Sequence, residues 1–300
     1  MQRFLERLTQ RVQDRGPLCV GLDPHLSRMS PHVQAQCTDL STSQGRRRAA
    51  EAIHGWSIVA LEAVQDHAAI IKPQIALYEQ FGAAGLEALE DIVARAKKSG
   101  TLVLMDAKRG DIGSTAEAYA RAILDNDGPF GADAVTLSPY LGRDSMAPFI
   151  QRCGEGEKGV FILLRTSNPG GSELQRDHAN VAELVARWVE AWNLPLLDEC
   201  GYGPVGVVVG ATLGDELAAW RRRLPSAWFL MPGFGAQGAS AVDCRAGFRS
   251  EGLGALINTS RGVLFPSAGE EELYAEEPGA VILQKTLAAK TELLQALQQH

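Results

Sequence analysis

The stretch TLVLMDAKRGDIGST, residues 101–115, joins a short apolar run directly to a series of charged residues. An uninterrupted apolar run of this kind is typical of a parallel strand that is covered on both faces. The preceding segment, 84–98, spaces its apolar residues by three and four positions, as an amphipathic helix does. The stretch therefore predicts a buried strand over 101–106 whose end carries polar side chains.

The same alternation of helix and strand recurs along the chain. Further helices are expected at 49–66 and 179–192, and strands at 18–22, 69–72, 101–106, 133–137, 159–165, 204–209, 227–231 and 255–259. The span from 18 to 259 is close to the roughly 250 residues of a (β/α)₈ barrel. A doubly wound open sheet is disfavoured, because no G-x-G-x-x-G follows the first strand and no linker marks a second domain. We expect an α/β fold: one (β/α)₈ TIM barrel domain over 1–300, with an N-terminal helix and an insertion at 24–48 after the first strand.

Composition limits the class of protein. The chain is 45% hydrophobic and 22% charged, which allows a sizeable core and excludes a disordered or fibrous chain. Its formal net charge of −7 argues against a broad nucleic-acid-binding surface, but not against a local pocket for a small anion. The five cysteines form no C-x-x-C pair and the six histidines no H-x-x-x-H pair, so neither a disulfide framework nor a metal site is expected. We expect the cysteines to be reduced and buried.

Arginine-rich segments occur at three places in the chain. In the opening segment MQRFLERLTQRVQDR, arginines recur every four residues, as in a transit peptide, but Glu6 and Asp14 interrupt the positive charge. We therefore expect a helix of the fold there, and we interpret Arg46–Arg48 and Arg221–Arg223 as solvated helix faces. No apolar run approaches the roughly 18 residues that span a bilayer, and the N-terminus lacks the apolar stretch of a secretory signal. A cytoplasmic protein without membrane association is expected.

Polar residues gather at the ends of the predicted strands. In a barrel, the C-terminal strand ends and the loops after them form the active-site face. We therefore expect one pocket that contains Asp23, Lys72, Asp106, Lys108, Asp111, Thr166–Asn168, the loop MPGFGAQG at 231–238, and Thr259–Arg261.

Lys108 lies between two carboxylates, Asp106 and Asp111, and Lys72 ends the preceding strand. Neighbouring carboxylates favour a charged ammonium group. An ammonium group held in this way can stabilise a developing carbanion and then donate a proton to it. An ordinary helix start would also explain some of these residues, but charged side chains directly after a buried strand are costly unless they are paired. The pattern favours lysine-centred chemistry.

Two glycine-bearing loops predict a phosphate site at the same face. PGFGAQG (232–238) follows the seventh strand and TSRGV (259–263) follows the eighth. Glycine permits a close backbone approach to phosphate, amides at a helix N-terminus can donate to it, and barrels frequently bind phosphate at these loops. Arg261 would add a charge-assisted contact and Gln237 a neutral one. The residues thus indicate a metal-free reaction of a phosphorylated substrate.

Seven motifs extend over nearly the whole chain: LCVGLDP, IIKPQIALYEQFG, DAKRGDIGST, TLSPYLG, RTSNPG, MPGFGAQG and NTSRG. Together they resemble the orotidine 5′-phosphate decarboxylase family, specifically its longer bacterial members. The D-x-K-x-x-D-I-x-x-T pattern from Asp106 to Thr115 is highly specific. The resemblance implies a homodimeric barrel that converts orotidine 5′-phosphate to UMP and CO₂ without a cofactor or a metal, as the last step of de novo UMP synthesis.

The resemblance also implies catalytic roles. Lys108 would donate a proton to C6 of the pyrimidine, with Asp106 against the substrate carboxylate. Asp111, Ile112 and Thr115 would reach into the neighbouring subunit's pocket, so that each active site is shared.

Roles in substrate binding follow from the same resemblance. Asp23 and Lys72 would hold ribose hydroxyls, and Lys72 would also complete the charged array. Ser167 would meet the pyrimidine amide, a contact that the flanking Thr166 or Asn168 could share. Pro232 and Gln237 would belong to the loop that closes over base and phosphate, and Arg261 would bind the phosphate.

Two other functions stay open at the level of sequence. A lysine could form a Schiff base with the substrate, as in aldolases, although Asp106 and Asp111 would keep Lys108 protonated and poorly nucleophilic. A nucleotide-binding barrel without catalysis is the second alternative, and the complete set of charged residues disfavours it.

Overall fold

Each of the eight predicted apolar runs forms a parallel strand, and the strands close into a barrel in the order β1 to β8. The computed structural model describes residues 3–235 and 238–298. The strands are β1 Leu18–Leu22, β2 Ile70–Pro73, β3 Leu102–Arg109, β4 Ala134–Leu137, β5 Gly159–Arg165, β6 Gly203–Val209, β7 Ala227–Pro232 and β8 Ala255–Thr259. Because β1 pairs with both β2 and β8, the sheet has no free edge. The predicted barrel is confirmed.

Helices connect the strands. In the described ranges they are α1 Phe4–Arg15, α2 Pro31–Gln36, α3 Ser43–Val64, α4 Ala76–Glu79, α5 Ala83–Lys98, α6 Gly113–Leu124, α7 Ala147–Gly154, α8 Val181–Asn193, α9 Asp215–Arg223, α10 Ala241–Cys244, α11 Arg261–Leu264, α12 Glu271–Glu276 and α13 Pro278–Gln298. A π-helical turn, Glu173–Asp177, precedes α8. None of these helices is both long and apolar enough to cross a bilayer.

The N-terminal helix and the insertion after β1 are both present. The segment 24–48 holds α2 and the first residues of α3. Helix α3 begins before the expected residue 49, because the side chain of Thr42 accepts a hydrogen bond from the Gly45 amide at 3.0 Å and caps the helix.

The core has two parts, which reflect the alternation of side chains along each strand. Ile71 and Val103 face outward and pack with helix residues such as Ile53. Inside the barrel, Ile70 and Leu102 belong to a second cluster that includes Phe4 of α1, which is only 1% exposed. Helix α1 therefore closes the N-terminal end of the barrel, and the C-terminal end is left for a site.

Two expectations from sequence are wrong. Arg221 does not belong to a solvated face: it is 6% exposed, lies over the Phe229 ring and donates hydrogen bonds to the carbonyl oxygens of Gly247 and Gly254. The guanidinium is buried because backbone carbonyl oxygens surround it and accept its hydrogen bonds. The cysteines are all free, but they are not all buried, because Cys200 is exposed in the turn before β6 and Cys37 is half-buried at the end of α2.

Candidate active site

A cavity of about 420 Å³ opens at the C-terminal end of the barrel. This volume lies within the range of about 300–1,000 Å³ that is typical of small-molecule sites. The predicted site residues that line it are Asp23, Lys72, Asp106, Lys108, Ser167, Pro232 and Arg261. They come from the ends of six strands, so the closure of the barrel assembles side chains that are far apart in sequence.

Asp106 is the centre of a charged array in this cavity. The Nζ atom of Lys72 lies 2.7 Å from its Oδ2 atom, and Nζ of Lys108 lies 2.6 Å from its Oδ1 atom. Lys72 and Asp106 are buried, whereas the side chain of Lys108 is 46% exposed. One lysine is therefore enclosed by the protein, and the other presents its ammonium group to the open cavity.

The two buried members of the array remain charged. Burial alone would raise the pKa of Asp106, but the ammonium groups of Lys72 and Lys108 hold it well below its ordinary value. Burial alone would lower the pKa of Lys72, but Asp106 and Asp23 raise it above its ordinary value. The cavity thus contains a buried carboxylate and a buried ammonium group that hold each other in place.

Two neutral side chains orient Asp106. The hydroxyl of Thr136 donates to Oδ1 at 2.9 Å, and Nε2 of Gln74 donates to Oδ2 at 3.1 Å. Each carboxylate oxygen therefore has one charged and one neutral partner. Neither neutral residue is among the site residues predicted from sequence. The available signal for Gln74 is its position one residue beyond β2, and the only signal for Thr136 is that it is the polar residue of β4.

The backbone at Lys108 is irregular. Its φ of 47° lies in the left-handed region, which costs a residue with a side chain about 1–2 kcal/mol. The register between β3 and β4 shifts between Met105 and Arg109, and the amides of Ala107 and Lys108 both donate to the hydroxyl oxygen of Thr136 at 3.0 Å. Irregularities of this kind re-aim a side chain, and backbone strain concentrates at functional sites.

Asp23 presents a buried hydrogen-bond acceptor at the cavity. Its Oδ1 atom is buried and has no hydrogen-bond partner among the described residues. Gly21, two residues before Asp23, packs against the end of β8. A Cβ atom on Gly21 would lie 2.0 Å from the Ser260 hydroxyl oxygen. A buried acceptor without a donor is costly, so a hydroxyl or amino group of a ligand would satisfy it.

Features that suit an anion lie after β7 and β8. Arg261 is half-buried and forms no ion pair with any residue in the described ranges. In the loop after β7, Gly233 has a φ of 120° and Gly235 one of 70°, backbone conformations that glycine adopts without strain. Gln237, which the sequence assigns to this loop, lies outside the described residues.

Asp111, Ile112 and Thr115 do not line the cavity. Asp111 is half-buried and accepts a hydrogen bond from the Ile112 amide at 2.8 Å. Ile112 is 58% exposed, and Thr115 is exposed on α6. The described part of one chain therefore does not bring these three residues to its own pocket.

Two further polar residues, His25 and Asn258, line the cavity without having been singled out from sequence. His25 lies two residues beyond Asp23, so its position after a strand was the available signal, and its ring centroid is 6.2 Å from that of Phe265. Across 3–235 and 238–298, no group of three or more His, Cys, Asp or Glu side chains is arranged to hold a metal ion.

Residues 16–273 match the family model described as orotidine 5′-phosphate decarboxylase / HUMPS family. The orotidine 5′-phosphate decarboxylase of Rhodopirellula baltica is 40% identical over 279 residues, which cover 90% of this chain and 91% of that protein. The protein of the same name from Haloarcula marismortui is 41% identical over 273 residues, with 89% and 88% covered. The solved structure of Leishmania donovani OMP decarboxylase has a TM-score of 0.72 and 34% identity, and the match covers 97% of this chain and 99% of that one. Matches of this extent show that the chain belongs to the orotidine 5′-phosphate decarboxylase / HUMPS family.

Proposed function

We propose that this chain decarboxylates orotidine 5′-phosphate to UMP and CO₂, as the last step of de novo UMP synthesis, without a cofactor or a metal. Its family and its named relatives make it a carboxy-lyase. The observation that carries the proposal is the Lys72–Asp106–Lys108 array in a cavity of nucleotide size. The proposal includes a single barrel domain over residues 1–300 and a cytoplasmic location.

In the proposed reaction, the bond between C6 and the carboxylate breaks, CO₂ leaves, and the electron pair stays on C6. The resulting carbanion has little delocalisation, so a fixed ammonium group next to it supplies most of the stabilisation. The Nζ atom of Lys108, held 2.6 Å from Asp106 and open to the cavity, then donates its proton to C6. Solvent returns a proton to the amine. Asp106 would face the substrate carboxylate.

We assign the rest of the cavity to substrate binding. Asp23, whose buried Oδ1 atom has no partner among the described residues, and Lys72 would hold the ribose hydroxyls. Arg261, which has no anionic partner among the described residues, would bind the phosphate, and Gln237 would assist it. Pro232 would lie in the loop that closes over the substrate. Binding energy from the phosphate, remote from C6, then supports loop closure and raises turnover rather than affinity alone.

The pyrimidine amide would meet the loop after β5. Ser167 and its neighbours Thr166 and Asn168 all line the cavity. We assign the contact to Ser167, with Thr166 or Asn168 able to share it.

We further propose a homodimer with shared active sites. Asp111, Ile112 and Thr115 lie outside the pocket of their own chain. Ile112, Tyr140 and Leu141 are apolar or aromatic and are 58%, 75% and 49% exposed, at loops that follow adjacent strands β3 and β4. Large exposed apolar side chains grouped in this way are typical of a protein–protein contact. The dimer would place Asp111, Ile112 and Thr115 against the partner's substrate.

The structure also bears on the Schiff-base alternative. A Schiff base requires a neutral amine, and Asp106 and Asp23 raise the pKa of Lys72 above its ordinary value despite burial. Lys108 is paired with the same carboxylate at 2.6 Å. The raised pKa favours the ammonium form of Lys72, which is a poor nucleophile.

The proposed function is tested by following the loss of orotidine 5′-phosphate absorbance in the presence of a chelator. We expect full activity with the chelator, and an absence of turnover would contradict the assignment.

Orotidine, which lacks the phosphate, serves as the matched substrate in a test of Arg261. Arg261→Ala should lower kcat/KM for orotidine 5′-phosphate by about 10- to 100-fold, the cost of a lost charge-assisted contact, and should barely change kcat/KM for orotidine. Equal losses for both substrates would contradict the assignment of Arg261 to the phosphate.

A further inference from the structure

Arg165, the last residue of β5, is a buried cation outside the charged array. It is 1% exposed, and its Nε and Nη2 atoms contact the two carboxylate oxygens of Glu216 on α9 at 2.5 and 3.0 Å. A two-point contact of this kind fixes the plane of the guanidinium group. The third donor, Nη1, points at the side-chain oxygen of Gln175 at 3.1 Å. The Arg165–Glu216 pair therefore holds Gln175 in one orientation.

Gln175 in turn holds the loop after β5. Its side-chain oxygen accepts a hydrogen bond from the backbone amide of Thr166 at 2.9 Å, and its side-chain nitrogen donates to the hydroxyl oxygen of Thr166 at 2.8 Å. The Thr166 hydroxyl then donates to Oδ1 of Asn168 at 2.6 Å. A chain of contacts thus runs from α9 through Gln175 to the loop Thr166–Asn168, which lines the cavity.

The space around this loop is closely filled. A Cβ atom on Gly171 would lie 2.7 Å from the Thr166 hydroxyl oxygen and 3.2 Å from the side-chain oxygen of Gln175. A Cβ atom on Gly210 would lie 3.3 Å from Cβ of Ser167. The loop is therefore confined from two sides, and its conformation depends on small residues as well as on Gln175.

We propose that Gln175, oriented by the Arg165–Glu216 pair, is a positioning residue that sets Thr166–Asn168 for recognition of the nucleotide base. The inference rests on the proposed function, in which this loop contacts the pyrimidine amide. Gln175 does not line the cavity, so it acts through the loop rather than on the substrate. Because a displacement of about 1 Å from a productive geometry can cost about 100-fold in rate, loss of this support should be measurable.

The test compares UMP with ribose 5-phosphate, which lacks the base, as ligands of the full chain in titration calorimetry. Gln175→Ala removes two hydrogen bonds to Thr166. We expect it to weaken UMP binding about 10- to 100-fold, the value for two hydrogen bonds, and to leave ribose 5-phosphate binding within about twofold. Glu216→Gln, which loses the charge that holds Arg165, should give a smaller loss in the same direction.

The matched control is Glu183→Gln. Glu183 pairs with Arg223 of α9, the helix that also carries Glu216, but this ion pair lies outside the network. The variant should leave both ligands unaffected. Gly171→Ala is a second variant, whose added Cβ atom would lie 2.7 Å from the Thr166 hydroxyl oxygen and so displaces the loop while the Gln175 side chain is retained, and it too should weaken UMP alone. Equal weakening of both ligands, or unchanged UMP binding by Gln175→Ala, would overturn the inference. Failure of the unaltered protein to bind UMP would instead overturn the proposed function and the inference with it.

Discussion

Replacement of Lys108 by alanine should separate catalysis from stability, because the two lysines that contact Asp106 differ in burial. The side chain of Lys108 is 46% exposed, so the loss of its ion pair should cost about 1 kcal/mol or less of unfolding free energy. Asp106 keeps Lys72 at 2.7 Å, Thr136 at 2.9 Å and Gln74 at 3.1 Å. Alanine meets the same left-handed backbone as lysine, so little strain is added.

The expected loss of activity is far larger. A positioned general acid contributes about 10²–10⁴-fold to a rate. Removal of one electrostatic contact to a developing charge costs about 10²–10³-fold in kcat. Because a single ammonium group would perform both roles, we expect Lys108→Ala to lower kcat by at least about 10⁴-fold.

The assay follows the absorbance of orotidine 5′-phosphate, and urea unfolding of the same preparations gives the stability. Lys98→Ala, at an exposed lysine of α5, is the matched control and should leave both quantities unchanged. Turnover of Lys108→Ala within about tenfold of the unaltered protein would refute the role of Lys108 as proton donor. A loss of more than about 3 kcal/mol in stability would refute the separation of the two effects, since a loss of that size belongs to a buried pair.

Three further predictions concern Lys72, Asp106 and the exposed Ile112. Lys72→Ala should lower the unfolding free energy by about 3–5 kcal/mol in urea, because it breaks a buried pair at 2.7 Å; a loss under about 1 kcal/mol would contradict the burial of this pair. Burial alone would raise the pKa of Asp106, but Lys72 and Lys108 depress it. The contribution of its carboxylate to the unfolding free energy is therefore complete above the ordinary pKa of about 3.9, and it is lost as the pH falls through the folded-state pKa. The stability advantage of the unaltered protein over Asp106→Asn should therefore be constant from about pH 7 to 5 and shrink below about pH 4, and an advantage that grows on acidification would have the wrong sign. Ile112→Asp, at a side chain that is 58% exposed, should leave the monomer folded, abolish the dimer in sedimentation and reduce activity; a dimeric and fully active variant would contradict the shared site.

The strands were predictable because their signal is local and strong. All eight observed strands lie within three residues of the predicted bounds, as β1 does at 18–22 and β8 at 255–259. A strand covered on both faces must be apolar at nearly every position, so its sequence differs sharply from that of the polar loops. The start of α3 was misplaced because its cap, Thr42, lies in a polar segment where apolar spacing carries no information.

The burial of charged side chains was harder to predict from sequence. Arg221 belongs to a run of three arginines that is typical of a surface, yet it donates hydrogen bonds to the carbonyl oxygens of Gly247 and Gly254, which are remote in sequence. Thr136 of β4 and Gln74, which follows β2, hold Asp106, and Gln175 supports the cavity loop from a π-helical turn. Each of these roles depends on distances between segments, for which sequence spacing offers no measure.

The sequence by itself determined the barrel, the polar face and the charged residues at the strand ends, because hydrophobic periodicity and residue chemistry are properties of the chain. Only the tertiary structure decided which of two lysines is enclosed and which is open to the cavity, that Asp106 joins them, and that Asp111 lies outside the pocket of its own chain. These distinctions arise from the closure of the sheet, which sets the burial and the distances that control charge.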